Sequence, residues 1–273
     1  MRELKGKVAV VTGAGSGIGR ETALALGARG CRLALCDVNQ DALDELQADV
    51  ENLGATVTTH HVDVSNRDQM RQFADDVVSA HGAAHILVNN AGVTIIASFE
   101  DQSLEDFEWL VGVNFWGVVH GCKFFIPHLR AAGEGHIVNL SSVFGIIAPP
   151  LQTSYVATKF AVRGFSESLR AELATERIGV TSVHPGTIQT NIVRDARLIT
   201  TSEAVRESTQ RLFDRLGTSP DIVAGRVVKA IEYNSPRVLI TTETRVADAL
   251  KRFMPATTDG IVARVFKRIN PGS

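Results

Sequence analysis

The chain is poor in cysteine, with 3 in 273 residues, and none of them forms a C-x-x-C pair. That excludes a disulfide framework and a thiol redox motif, and leaves Cys31, Cys36 and Cys122 as buried free thiols. Long apolar runs are missing as well. No stretch reaches the ~18 uncharged apolar residues of a membrane span, and the start, MRELKGKVAVV, has too short an apolar run for a signal peptide. A cytoplasmic protein is expected, and membrane association is not. Neither charge is in excess: 28 Lys and Arg stand against 30 Asp and Glu, a net charge of −2. Nucleic-acid binding calls for a basic face or stripe and is not expected on that balance. There are 8 histidines, but no H-E-x-x-H and no Cys/His quartet with zinc spacing. His60 and His61 are strand neighbours that point to opposite faces, so no metal site is expected. Ser142, within LSSVF, lacks the G-x-S-x-G elbow of a hydrolase nucleophile. No Pro/Gly/Ser linker interrupts the chain, which at 44% hydrophobic and 21% charged residues reads as one soluble globular domain.

What is present begins with a strand, KVAVV, then the glycine turn TGAGSGIG, the helix GRETALALGARG and a second strand, CRLALCD, ending in Asp37. This is the order of a dinucleotide site. Glycines let the backbone approach a pyrophosphate, the helix N-terminus offers unpaired N–H groups and a positive dipole end, and the acid can bond ribose hydroxyls. The spacing is Thr12-Gly13-x-x-x-Gly17-x-Gly19, not G-x-G-x-x-G. Helix (40–52), strand (56–64), helix (66–80) and strand (84–90) follow. The alternation predicts an α/β fold: a single-domain, Rossmann-type, doubly wound parallel sheet with helices on both faces.

Tyr155 and Lys159 lie four residues apart at the head of a helix-prone run, on one face and one turn apart. A free phenol titrates near ~10. An ammonium at about 4 Å is worth roughly 4 kcal/mol at an effective dielectric of about 20, enough to favour phenolate and make Tyr155 a general acid/base. Ser142 follows the predicted strand HIVNL and can orient a carbonyl or alcohol oxygen. A Tyr and a Lys at this spacing are also what a solvated ring and a solvated charge look like.

Together with Asn89-Asn90-Ala91-Gly92, Asn114, Ser142, Tyr155-x-x-x-Lys159 and Pro185-Gly186, the glycine turn closely resembles the short-chain dehydrogenase/reductase family in its compact form of about 250 residues. The resemblance runs from about Lys5 to Ile240. It implies a hydride-transfer enzyme with a nicotinamide cofactor. It places Asp63 and Val64 beside the adenine, puts Asn90, Ala91 and Gly92 under the cofactor, and gives Gly13, Ser16, Gly17, Ile18 and Gly19 the pyrophosphate. Ile188 then bonds the nicotinamide carboxamide through its backbone and Thr190 through its side chain, beyond Pro185-Gly186. Asn114 bends its helix and holds a water that links Lys159 to solvent; the plain alternative is a core asparagine satisfying nearby backbone. Asp63 has an alternative too, as a cap near Asn66.

Asp37 repels a 2′-phosphate, and neither Val38 nor Ser16 supplies a cation, so NAD is expected rather than NADP. Predicted wall residues Val143, Phe144, Ile146, Ile147, Ala148, Pro149 and Leu151, with Ile95, Ile96, Ile192 and Phe213, suit a hydrophobic secondary alcohol or ketone. Arg194 and Arg197, on a predicted mobile lid over 191–216, can read an anionic handle. Helices over 114–131 and 154–177 are apolar on more than one face, which points to a homo-oligomer, a dimer or tetramer. A catalytic domain over 1–242 and an amphipathic extension over 243–273 are expected. The segments VADALKRFM and IVARVFKRI of that extension dock on a neighbouring subunit or cover the pocket, or lie on an acidic membrane. The alternative to an enzyme is a catalytically silent NAD(H)-binding sensor or partner protein of the same fold.

Overall fold

Strands that are apolar at every position have to be covered on both faces. Val8–Thr12 (β1), Ile86–Asn89 (β4), Gly135–Leu140 (β6) and Ile178–His184 (β7) are buried throughout. Arg32–Asp37 (β2), Val57–His61 (β3) and Arg237–Leu239 (β9) complete the sheet, and Ile95–Ile96 (β5) pairs apart from it with Arg197–Leu198 (β8). The computed structural model describes residues 1–190, 192, 196–198 and 217–269. Most of the expected lid, with Arg194 and Phe213, lies outside the described residues, as does the side chain of Arg197.

The sheet order is β3-β2-β1-β4-β6-β7-β9, with every pair parallel. The chain winds outward from β1 to β3, then returns to β4 on the other side of β1. The topological switch point therefore lies between the carboxyl ends of β1 and β4.

Side chains alternate across β1 and divide the core in two. Ala9 and Val11 pack with Leu26 of Gly17–Gly27 (α1), Leu43 and Leu46 of Gln40–Asn52 (α2), and Val223 and Val227 of the Pro220–Tyr233 helix. Val8 and Val10 pack on the opposite face with Phe73 of Arg67–His81 (α3) and Phe125 of Gly117–Ala131 (α5). Val162 of Thr153–Glu172 (α6) joins them. The doubly wound α/β architecture expected from the sequence is the one found.

Three boundaries differ from expectation. The third strand stops at His61 rather than continuing through Val64, because Asp63 closes a turn: its Oδ1 accepts from the Ser65 N–H (2.9 Å) and hydroxyl (2.7 Å). Asn66, not Asp63, caps α3, accepting from the N–H groups of Asp68 and Gln69. The helix ending at Glu172 is shorter than the predicted 154–177, because Arg177 is drawn into the sheet, its carbonyl accepting from Gly135 N–H at 2.8 Å.

The helix expected to begin at 114 instead continues from Leu104–Val111 (α4) through one π-helical turn, Gly112–Trp116, into α5. The whole run, Leu104–Ala131, spans 28 residues and contains an 18-residue window with a mean hydropathy of 1.2, long and apolar enough by length and composition to cross a membrane. Its Val118, Cys122, Phe125 and Leu129 are instead buried against the sheet. Both tail segments are helical, over Thr242–Phe253 and Pro255–Ile269. Asp248 ties the first of them down, accepting from Arg237 (2.7 Å) and Arg252 (2.9 Å). Its Val246 and Phe253 remain exposed.

Candidate active site

The expected site residues are spread over about 180 positions of sequence, yet the topology brings them to one edge, the carboxyl ends of β1, β2, β3, β4, β6 and β7. Thr12 ends β1, and its hydroxyl accepts from the N–H groups of Asn90 (3.1 Å) and Ala91 (3.2 Å). Asn90 answers, its Nδ2 donating to the carbonyls of Thr12 (3.0 Å) and Gly13 (2.8 Å). This clamp sets the width of the cleft at the switch point. Thr12 opens the Thr12-Gly13-x-x-x-Gly17-x-Gly19 spacing in the sequence, but its bonds across to Asn90 and Ala91 were not expected.

Inside the clamp the glycine turn leaves no room for side chains. Gly13 has φ +61°, and a Cβ on Gly19 would lie 2.1 Å from the Gly13 carbonyl oxygen and 2.5 Å from Asn90 Nδ2. Ser16 is the N-cap of α1 but makes no side-chain capping bond, and the first turn holds no acidic residue. The turn thus presents backbone N–H groups and a positive helix end, which fits the diphosphate of a dinucleotide. Asp37 stands at the end of β2, its carboxylate accepting from Gly15 N–H (2.8 Å) and Asn39 N–H (3.0 Å), and Val38 beside it is exposed. From the opposite side, the Thr190 methyl reaches within 3.0 Å of where a Cβ on Gly17 would sit. Ile188 is buried and bridges Thr218, so the 185–190 turn closes over the glycine loop.

Tyr155 and Lys159 sit on one face of α6, both nearly buried. Lys159 Nζ donates to the Leu140 carbonyl at 3.0 Å and lies 5.4 Å from the Tyr155 ring centroid. Ser142 follows β6, its side chain pulling against the rise of the Tyr155 phenol, and accepts at Oγ from Phe144 N–H at 3.1 Å. The expected lowering of the phenol by the ammonium is corrected here. Burial penalises both charged forms, pushing the Tyr155 phenol up to about 12 against the pull of Ser142, and the Lys159 ammonium down to about 8. Sequence spacing showed the two groups together but not the depth at which they meet.

Asn114 is fully buried in the π turn. Its amide brackets Val93, accepting from the N–H (2.8 Å) and donating to the carbonyl (2.9 Å). The side chain therefore satisfies nearby backbone, within a turn wound more widely than the α-helix on either side. Gly92 brings the groups together: a Cβ there would lie 3.3 Å from Asn114 Oδ1 and 3.5 Å from Lys159 Nζ. Val64 and Gly117 are in similar contact at the other end of the turn.

A third apolar cluster surrounds the phenol: Ile95, Ala97, Leu110 and Tyr155, flanked by Val93, Trp109, Phe144 and Ile192. Phe144 stands edge-on to the Tyr155 ring at 6.1 Å. Of the expected wall, Ile95, Phe144 and Ile192 are in this cluster, while Ile146 is buried within the protein and Ala148 is exposed. Ala97, Trp109 and Leu110 were not expected, since they come from a loop and a helix with no motif of their own. One further missed residue, His184, bonds the Ser142 carbonyl through Nδ1 at 3.0 Å.

The arrangement offers a proton-holding phenol, a hydroxyl and an ammonium beneath an apolar wall, next to a cradle for a diphosphate. A family model described as short chain dehydrogenase matches residues 7–199. The chain is similar to SadH of Mycobacterium tuberculosis, a protein named as an oxidoreductase, with 41% identity over 267 residues covering 96% of each chain. Among solved structures, a short chain dehydrogenase/reductase from Burkholderia phymatum in complex with NAD superposes with a TM-score of 0.88. It is 32% identical and covers 93% of this chain and 95% of its own. A short chain dehydrogenase from Mycobacterium paratuberculosis bound to NAD has a TM-score of 0.79 at 25% identity, covering 89% and 99%.

Proposed function

Because the chain belongs to the short-chain dehydrogenase family, we propose that it is an NAD-dependent enzyme acting on hydrophobic secondary alcohols or ketones. The observation that carries this is the convergence of Tyr155, Ser142 and Lys159 at the apolar cluster beside the Gly13–Gly19 cradle. Bound nicotinamide supplies or accepts the hydride. Gly13, Ser16, Gly17, Ile18 and Gly19 would hold the diphosphate of that cofactor, Asp37 its adenosine ribose, and Asp63 and Val64 its adenine. Asn90, Ala91 and Gly92, with Pro185, Gly186, Ile188 and Thr190, would hold its nicotinamide half. The carboxylate of Asp37 and the neutral, exposed Val38 select NAD over a 2′-phosphorylated cofactor.

Ser142 Oγ orients the substrate oxygen, and Tyr155 Oη gives a proton to it in reduction or takes one in oxidation. Lys159, its ammonium held by the Leu140 carbonyl, would bond ribose hydroxyls, and Asn114 shapes the helix beneath it for a path by which protons reach solvent. Ile95, Phe144 and Ile192 exclude water and favour an apolar substrate. The protein acts as a homo-oligomer in the cytoplasm. Trp116 and Phe160 are exposed on adjoining helical elements, and Trp116, His120 and Phe124 form a continuous stack suited to a second copy. A monomeric mass by light scattering would count against that assembly.

The decisive experiment follows NADH formation from NAD and a panel of cyclic, long-chain, steroid, terpene and hydroxyacyl alcohols, with wild type and Tyr155→Phe. Turnover should fall by roughly 10² or more in the variant. Tight NADH binding with no turnover across the panel would favour the silent sensor instead.

A further inference from the structure

His184 is fully buried at the end of β7, directly before Pro185. Its Nδ1 lies 3.0 Å from the Ser142 carbonyl oxygen and its Nε2 lies 3.0 Å from Ser182 Oγ. A carbonyl oxygen only accepts, so Nδ1 carries the proton, and Nε2 of the neutral ring accepts from the Ser182 hydroxyl. Burial keeps the ring neutral, its pKa pushed down to about 4. The other polar end of the same peptide unit, Val143 N–H, donates to the Pro185 carbonyl at 2.7 Å. The peptide between Ser142 and Val143 is thus held at both ends from the exit of β7. The Pro185 contact is main chain, whereas the contact to the Ser142 carbonyl requires a side-chain donor at this depth.

We propose that His184 is a positioning residue: by holding the Ser142 carbonyl it fixes the rotation of the Ser142–Val143 peptide, and with it the direction in which Ser142 presents its hydroxyl to Tyr155. This rests on the role given to Ser142 above. A merely space-filling ring at 184 would need only volume. A positioning ring needs a donor at the place of Nδ1, which the amide nitrogen of asparagine approximates. Glutamine instead places its nitrogen near Nε2, and phenylalanine keeps the volume without the donor.

The test measures kcat and KM for His184→Asn, His184→Gln and His184→Phe, alone and combined with Ser142→Ala, using the fastest alcohol of the panel. Imidazole nitrogen chemical shifts of histidine-labelled protein are recorded alongside, with His184→Asn assigning the signal. The expected result is a loss of kcat of about tenfold or more in His184→Phe and His184→Gln, with the KM for NAD within about twofold. His184→Asn should keep at least about half of kcat, and His184→Phe should add less than about twofold to the loss in Ser142→Ala. The ring should carry its proton on Nδ1.

Independent, multiplicative losses would overturn the proposal, as would equal activity of His184→Phe and wild type or a proton found on Nε2. If Ser142→Ala itself turns over like wild type, the reading of Ser142 fails first, and the proposal with it. A collapse in Ser142→Ala with a fully active His184→Phe sinks the proposal alone.

Discussion

Lys159 and Tyr155 share one face of α6, yet the ammonium donates to the Leu140 carbonyl rather than to the phenol, and stands 5.4 Å from the ring centroid. The lysine is therefore anchored by the sheet, and the tyrosine by the apolar wall. Holding a charge at that depth has a cost that function does not remove.

Lys159→Met should consequently stabilise the protein while abolishing turnover. The folded-state pKa of about 8 lies below the ordinary 10.5. Below pH 8 the buried ammonium costs roughly 3 kcal/mol, and the cost fades as pH rises from 8 to 10.5. At pH 7 the variant should melt several degrees above wild type, with the gap closing above pH 10. A variant that melts lower at pH 7 would show that the bond to Leu140 outweighs the desolvation.

Two buried histidines make the fold acid-sensitive. His136 and His184 are pushed down to about 3 and about 4 by burial, from an ordinary 6.5. Both are neutral in folded and unfolded chains above pH 6.5, so stability is full there and is lost as pH falls toward 4, where the unfolded state takes up the protons first. Each accounts for about 2 kcal/mol between pH 6.5 and 5. Urea midpoints at those two values should differ accordingly, and His184→Asn should lessen the difference.

Cofactor preference should follow the end of β2. Exchanging Asp37→Ser together with Val38→Arg removes the repulsion of a 2′-phosphate and adds a cation at an exposed position. Fluorescence titration should then show NADPH binding more tightly than NADH. Persistently weaker NADPH binding would place the discrimination elsewhere.

Gly19→Ala should damage the cradle more than an average helix substitution, since its methyl would sit 2.1 Å from the Gly13 carbonyl oxygen. The expected outcome is at least tenfold weaker NADH binding by roughly the loss of one good contact, with a lower melting temperature. Near-normal affinity would mean the Asn90 clamp yields without cost.

These cases mark what sequence can and cannot carry. The glycine turn, Asp37 and the Tyr155-Lys159 pair were legible because each depends on local spacing and on the order of elements. The clamp of Thr12 on Asn90 and the bond from His184 to Ser142 were not, because they depend on how neighbouring strands register: Leu140 aligns with Val183, which sets His184 beside Ser142. The apolar wall was legible only in part, since Leu110 and Ala97 reach it by tertiary packing. The titration of Tyr155 was misread for the same reason, as burial is a property of the assembled cluster and not of the helix.

The π turn at Gly112–Trp116 has a mechanical consequence. A helix advances by about 100° per residue, and the wide turn absorbs one residue beyond the regular winding. It is a phase shift built into a single rod. Ahead of it α4 offers Leu110 to the wall, within it Asn114 grips Val93, and from its last residue onward Trp116, His120 and Phe124 run along the outer side. Deleting one residue here would rewind the rod uniformly and rotate the downstream stripe by about a quarter of a turn, so one short segment keeps the inner chemistry and the outer surface in register.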